Sequence, residues 1–60
     1  MVLSQLGAKM QKRNISNVEL AAKTMMSSRS IENAKKGKGI SINTGRRIAA
    51  GMKMKLEELV

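Results

Sequence analysis

The chain has 60 residues without Cys, His or aromatic side chains, and its twelve Lys and Arg oppose four Glu, for a formal net charge of +8 at pH 7. This length allows one domain, residues 1–60. Without Cys the chain cannot form disulfides, and without Cys or His only carboxylates could bind zinc, so we expect no metal. A second subunit is then the expected source of added stability. The charge favours a polyanion (DNA, RNA or an acidic membrane surface), whereas the lack of aromatic rings disfavours RNA and single strands, which proteins commonly bind by base stacking.

Serine caps and turn residues divide the chain into five short predicted helices. These helices cover residues 2–13, 17–25 and 28–36, a stretch from a cap at Ser41 or Asn43 to about residue 52, and residues 56–59. Ser16 with Glu19 three residues later is a capping-box pairing, and Ser27 is the expected N-cap of the third helix. Gly37 closes that helix, because Gly readily adopts the left-handed conformation of a helix end. No segment alternates convincingly with a period of two, so the sequence predicts an all-α fold.

The inward-facing residues recur three or four positions apart, as on the buried face of a helix. The predicted core consists of Leu3, Leu6, Met10, Leu20, Ala21, Thr24, Ile31, Ala34, Ile48, Ala49 and Met52. Most of the six Met are expected to fill irregular gaps in this small core.

The second and third predicted helices are joined by a tight turn, which is the arrangement of a helix-turn-helix. The residues that carry a wider resemblance are Asn17-x-Glu19-Leu20-Ala21-x-Lys23, Ser27-x-x-Ser30-Ile31 with Gly37-Lys38, Ile48-Ala49-x-x-Met52 and Leu56-Glu57-Glu58-Leu59. In this order and at these distances, they resemble the Cro/repressor-type (XRE-like) helix-turn-helix DNA-binding family over nearly the whole chain. The resemblance implies a compact, lambda-repressor-like bundle of five short helices, with the motif at about residues 17–36. It also implies a sequence-specific, double-stranded DNA-binding transcriptional regulator of phage, plasmid or bacterial repressor type.

By that resemblance, bases are read in the major groove from the start of the helix at residues 28–36 and one turn later. The reading residues are then Ser28, Arg29, Glu32 and Asn33. Arg29 suits a guanine edge and Asn33 an adenine edge, whereas Glu32 either accepts from a cytosine amine or pairs with Arg29 or Lys36. The expected phosphate contacts are Asn17, Ser27, Lys35, Lys36, Lys38 and Asn43, with Arg46 and Arg47 as further candidates.

The resemblance also implies a homodimer on a near-palindromic site, with two reading helices roughly 34 Å apart. The dimer contact is expected from Met52, Met54, Leu56 and Leu59. If six phosphates are neutralised, log K should fall against log salt with a slope near −5.

The sequence departs from the family pattern at positions of three kinds. Ala34, Gly45 and Arg46 stand where larger apolar residues are common, and the other departures concern Gly positions and one ion pair. Met25 stands in the turn where the family usually has Gly, so it is expected at positive φ, at a cost of roughly 1 kcal/mol or more, and Lys53 takes the place of another usual Gly. Lys35 and Met10 replace a Glu and an Arg that form a salt bridge in some members, so that pair is absent here.

Other functions are less favoured by the residues. No nucleophile has a base beside it and there is no nucleotide loop, so we expect neither an enzyme nor a cofactor or small-molecule ligand. A protein-interaction module of the same fold, such as an antitoxin or an inhibitor, remains the alternative. A membrane-active basic peptide is disfavoured because caps break the chain into short helices. With no apolar run of about 20 residues and no signal-peptide core, we expect a cytoplasmic protein with no membrane partner.

Overall fold

The computed structural model describes residues 1–60, which form four α-helices and one 3₁₀ turn. The elements are α1 (Leu6–Arg13), α2 (Asn17–Thr24), α3 (Ser28–Lys35), α4 (Ile42–Met52) and the 3₁₀ turn Leu56–Glu58. The all-α prediction is confirmed, but the fifth predicted helix is only a three-residue 3₁₀ turn. None of the helices is both long and apolar enough to cross a bilayer.

The first helix begins at Leu6, well after residue 2, where its apolar spacing placed the start. The residues before Leu6 are not helical, and Met1 forms hydrogen bonds with Ile40, in the segment before α4. Its carbonyl accepts from the Ile40 N–H at 2.7 Å, and its ammonium group donates to the Ile40 carbonyl at 2.6 Å. Leu3 is nevertheless fully buried. The spacing therefore identified a core residue correctly but assigned it to a helix that does not reach it.

Three helices begin at a serine whose hydroxyl accepts a backbone N–H. Ser16, Ser27 and Ser41 accept from the third residue along the chain, at 3.1, 3.1 and 3.2 Å. Each bond satisfies one of the amides that a helix start leaves unpaired. The predicted caps at Ser16 and Ser27 are confirmed, and Ser41 rather than Asn43 caps α4. The capping box is incomplete, because the Glu19 carboxylate lies 3.6 Å from the Lys23 ammonium rather than on the Ser16 N–H.

The core lies where the four helices pack against one another. α2 packs against α3 and α4, and α1 packs against α3. The buried hydrophobic cluster consists of Leu3, Leu6, Met10, Leu20, Ala21, Ile31, Ala34, Ile48, Ala49, Met52 and Leu59. Every predicted apolar core residue is in this cluster, and the predicted Thr24 is also buried, with its hydroxyl donating to the Leu20 carbonyl at 2.8 Å. Burial on these faces fixes how α3 is presented to solvent.

The structure corrects half of the expected dimer contact. Met52 and Leu59 are 1% and 0% exposed, because both pack inside the chain's own core. A side chain without exposed surface cannot contact a second copy of the same fold. Of the four residues expected there, only Met54 and Leu56 keep accessible surface.

Candidate nucleic-acid interface

The outward face of α3 is polar and uncovered. Ile31 and Ala34 point into the core, and at 100° per residue Arg29 and Lys36 point the opposite way. Both are exposed, and neither takes part in an ion pair. The predicted base-reading residue Arg29 is therefore at the centre of the solvent face, with its guanidinium donors available to a ligand.

One edge of this face is joined to the start of α2 by a hydrogen-bonded cluster of three side chains. The Asn17 side-chain amide donates to the Glu32 carboxylate, and the Lys35 ammonium donates to the Asn17 side-chain oxygen at 2.9 Å. The Lys35 ammonium also lies 4.0 Å from the Glu32 carboxylate. The cluster fixes the orientation of the Asn17 amide and crosses from α2 to α3.

This cluster changes the roles expected of its members. Glu32 pairs with neither Arg29 nor Lys36, and its carboxylate is already occupied by Asn17 and Lys35. A side-chain amide nitrogen has two hydrogens, so Asn17 keeps one N–H for a further acceptor. Asn17 and Lys35 thus lie together as potential phosphate donors, and Glu32 orients them. No local sequence pattern signals this grouping, because its hydrogen bonds join residues 15 and 18 positions apart.

The other edge of the face borders the start of α4. A recess of about 250 Å³ separates the two helices, and Asn33, Lys38 and Thr44 are among its lining residues. Asn33 is half-exposed on the α3 side, and Asn43 is exposed in the first turn of α4. The predicted adenine reader, Asn33, and one predicted phosphate contact, Lys38, therefore line the same recess, and Asn43 is the chain neighbour of Thr44 in its lining.

Two helix starts flank the outward face of α3. The first two amides of α2, at Asn17 and Val18, and of α4, at Ile42 and Asn43, donate to no acceptor in the chain. Unpaired amides at a helix start, together with the helix dipole, favour a bound anion. The positions of these two starts suit phosphates on either side of an occupied groove.

The remaining predicted phosphate and base contacts differ in availability. Ser27 is a cap first, since its hydroxyl accepts from the Ser30 N–H and lies 2.9 Å from the Ser30 hydroxyl. Ser28, Lys36 and Lys38 are exposed. The Ser28 side chain makes no hydrogen bond, and Lys36 and Lys38 form no ion pair. All three side chains are therefore available to bind a ligand.

Positive charge is concentrated around this face. Residues 28–47 contain six Lys and Arg against one Glu. The only ion pairs of the chain are Glu19–Lys23 and Glu32–Lys35. Five of the six cations therefore lack a partner, and they are Arg29, Lys36, Lys38, Arg46 and Arg47. Their field attracts a polyanion to this surface.

The turn that leads into α3 contains the strained residue that the sequence predicted. Met25 has φ 57° and ψ 36°, and its side chain is 90% exposed. Lys53 has φ 56°, which matches the other position where Gly was expected. The left-handed conformation costs roughly 1–2 kcal/mol for a residue with a Cβ. At Met25 no packing offsets this cost, which makes the residue a candidate for a role outside folding.

Comparison of the chain with protein-family models, with curated proteins and with solved structures found no match. The likeness to the Cro/repressor-type family therefore depends on the residues quoted above.

Proposed function

We propose that the chain is a sequence-specific, double-stranded DNA-binding transcriptional regulator of the Cro/repressor type, acting in the cytoplasm of a bacterium or on behalf of a phage or plasmid. The observation that carries this proposal is the outward face of α3. Arg29 and Lys36 lie at its centre without partners, and two helix starts with unpaired amides flank it. A helix presented in this way suits the major groove, and the flanking amides suit the phosphates on either side.

In this proposal Arg29 donates two hydrogen bonds to a guanine edge and Asn33 pairs with an adenine edge. Asn17 and Lys35 bind phosphate on the α2 side, whereas Lys38 and Asn43 do so on the α4 side. Glu32 acts as a positioning residue, because its carboxylate accepts a hydrogen bond from the Asn17 side-chain amide. Two copies bind a near-palindromic site, and Leu56 is the residue expected for their contact that keeps accessible surface and does not line a basic recess.

Selection of bound sequences from a random duplex pool tests the proposal. We expect a consensus of two inverted half-sites with centres roughly 34 Å apart, each containing a guanine that depends on Arg29. Binding without enrichment of any sequence would contradict base reading, and absence of duplex binding would contradict the proposal as a whole.

One observation favours a second candidate, a protein-interaction module such as an antitoxin. Val18 and Ala22 lie at i and i+4 on α2, so they share one side of the helix, and Met25 directly follows the last residue of α2. All three are exposed, and Val18 and Met25 are 70% and 90% accessible. Exposed apolar side chains on and directly after one helix of a small basic protein suit a protein partner.

Met25→Gly separates this candidate from DNA binding. Gly relieves the left-handed strain at residue 25, so the free energy of unfolding should rise by about 1 kcal/mol. Duplex affinity should stay unchanged, because DNA contacts are expected from other residues. A partner captured by the wild-type chain after nuclease treatment, but not by Met25→Gly, would establish the protein-interaction candidate. Met25→Ala is the matched control, since it shortens the side chain and keeps the strain.

A further inference from the structure

A second group of cations lies away from the α3 face. It consists of Lys9, Lys12 and Arg13 on α1, and Lys53 and Lys55 after α4. Lys9, Lys12, Arg13 and Met54 line one recess of about 360 Å³, and Lys53 and Lys55 are the chain neighbours of Met54. None of the five cations forms an ion pair. We call this group the α1 basic surface.

The α1 basic surface and the α3 face are at opposite ends of α4. The Arg13 guanidinium donates to the Met52 carbonyl at 2.7 Å, so the end of α1 lies at the last residue of α4. Thr44, near the start of α4, lines the recess beside α3. Thr44 and Met52 are eight residues apart, which is about 12 Å along α4 and more than the Debye length of about 10 Å at 0.1 M salt. The two surfaces can therefore bind anions independently.

Helix ends explain only part of this charge. Lys12 and Arg13 are in the last turn of α1, where cations stabilise the helix, and Arg13 also caps α4. Lys9 is outside that last turn, and Lys55 lies between helical elements. Lys9, Lys12 and Arg13 follow at i, i+3 and i+4, which places them on one side of α1. Their common direction is what a surface for an anion requires.

The chemistry of the α1 basic surface suits phosphates better than a protein. Of the five residues that line its recess, only Met54 is apolar, whereas protein interfaces depend on buried aromatic or aliphatic anchors. Binding to a nucleic-acid backbone needs only unpaired cations. The carboxylate in the recess, Glu58, accepts from the Lys55 N–H at 2.9 Å and is thus bound to the backbone. Four flexible Lys and one fixed Arg remain to contact phosphate.

We propose that the α1 basic surface binds the phosphate backbone of a second DNA duplex, so that the protein bridges two duplexes. The proposal rests on the proposed function, because the first duplex is held by the α3 face. The second contact is independent of base sequence, since it uses phosphate alone. Regulation would then include bringing a distant DNA segment to the bound site.

The test measures bridging and single-duplex binding separately. The selected duplex is fixed to beads and loaded with protein, and retention of a labelled duplex of unrelated sequence reports bridging. The variant Lys9→Gln/Lys12→Gln/Lys53→Gln/Lys55→Gln should retain at least about tenfold less label than wild type at 0.1 M salt. Its affinity for the selected duplex in solution should stay within about threefold of wild type, because the removed charges are screened from the α3 face. Arg13 is left in place because it caps α4.

The matched variant is Lys36→Gln/Lys38→Gln/Arg46→Gln/Arg47→Gln. It has the same net charge as the first variant, because each loses four positive charges from +8 and is left with +4. It should lose single-duplex affinity, and with it any bridging. Circular dichroism checks that both variants remain helical. Wild-type protein that binds the bead duplex without retaining the second one would overturn the bridging proposal and leave the proposed function standing. Full retention by the first variant would also overturn it, since the bridge would then run through the reading faces of a dimer. Failure of the wild type to bind the bead duplex would instead overturn the proposed function.

Discussion

Replacing Arg29 with Ala should weaken binding to the selected duplex by about 1–3 kcal/mol, a loss of roughly fivefold to more than a hundredfold. The expected loss is specific to sequence, because Arg29 is exposed at the centre of the outward face of α3 and has no partner within the chain. Affinity for a scrambled duplex of equal length should change by a much smaller factor. Titration of both duplexes at one salt concentration by fluorescence anisotropy measures the difference.

Arg46→Ala is the matched control for that measurement. Arg46 is also exposed and unpaired, but it lies on α4, where we expect contact with phosphate alone. It should weaken both duplexes by the same factor and reduce the salt slope by about one. Equal losses from Arg29→Ala on the two duplexes would reduce Arg29 to a phosphate contact. Neither change should alter the melting temperature by much, since neither side chain is buried.

The parts of the fold that the sequence predicted are those set by neighbours along the chain. Ser16 and Ser27 mark helix starts because their hydroxyls bond amides only three residues away. The core residues were predictable for a similar reason, since apolar spacing of three and four residues reports the buried side of a helix. The positive φ of Met25 was predicted only from the likeness to a family, which usually has Gly at this position. Met by itself does not indicate a left-handed conformation.

The parts that the sequence did not predict depend on contacts between distant residues. The bonds between Met1 and Ile40, which displace the start of α1, join residues 39 positions apart. The Asn17–Glu32–Lys35 cluster spans two helices, so it altered the expected role of Glu32. The error at Met52 and Leu59 has another cause. An apolar pattern shows that a side chain is buried but not whether its own chain or a second copy covers it.

Gly51→Ala should lower the free energy of unfolding by about 1–2 kcal/mol, although Ala is the better helix former. A Cβ at Gly51 would lie 2.7 Å from the Thr24 Cγ2 and 3.1 Å from the Leu20 Cδ1. Thr24 cannot easily rotate away, because it is buried and its hydroxyl donates to the Leu20 carbonyl. Overpacking of about 1–3 kcal/mol therefore exceeds the gain in helix propensity. Thermal or urea unfolding followed by circular dichroism gives the value.

Gly7→Ala is the control from the same chain. The nearest atom to a Cβ at Gly7 is the Lys35 Cε at 4.0 Å, which is an ordinary contact. Ala should therefore stabilise α1 by about 0.5–1 kcal/mol. The two substitutions are chemically identical, so opposite signs would isolate the close approach of α2 to α4.

A double-mutant cycle identifies the atom responsible at Gly51. Thr24→Ser removes the Cγ2 methyl but keeps the hydroxyl and its bond to the Leu20 carbonyl. In the Thr24→Ser background, Gly51→Ala should cost less than it does alone, with a coupling of at least about 0.5 kcal/mol. Additive effects, or equal stabilisation at Gly7 and Gly51, would contradict this packing. Because α2 also carries Asn17 and packs against α3, its contact with α4 determines how both edges of the reading face are held. We therefore expect Gly51→Ala to weaken duplex binding beyond the fraction of protein that it unfolds.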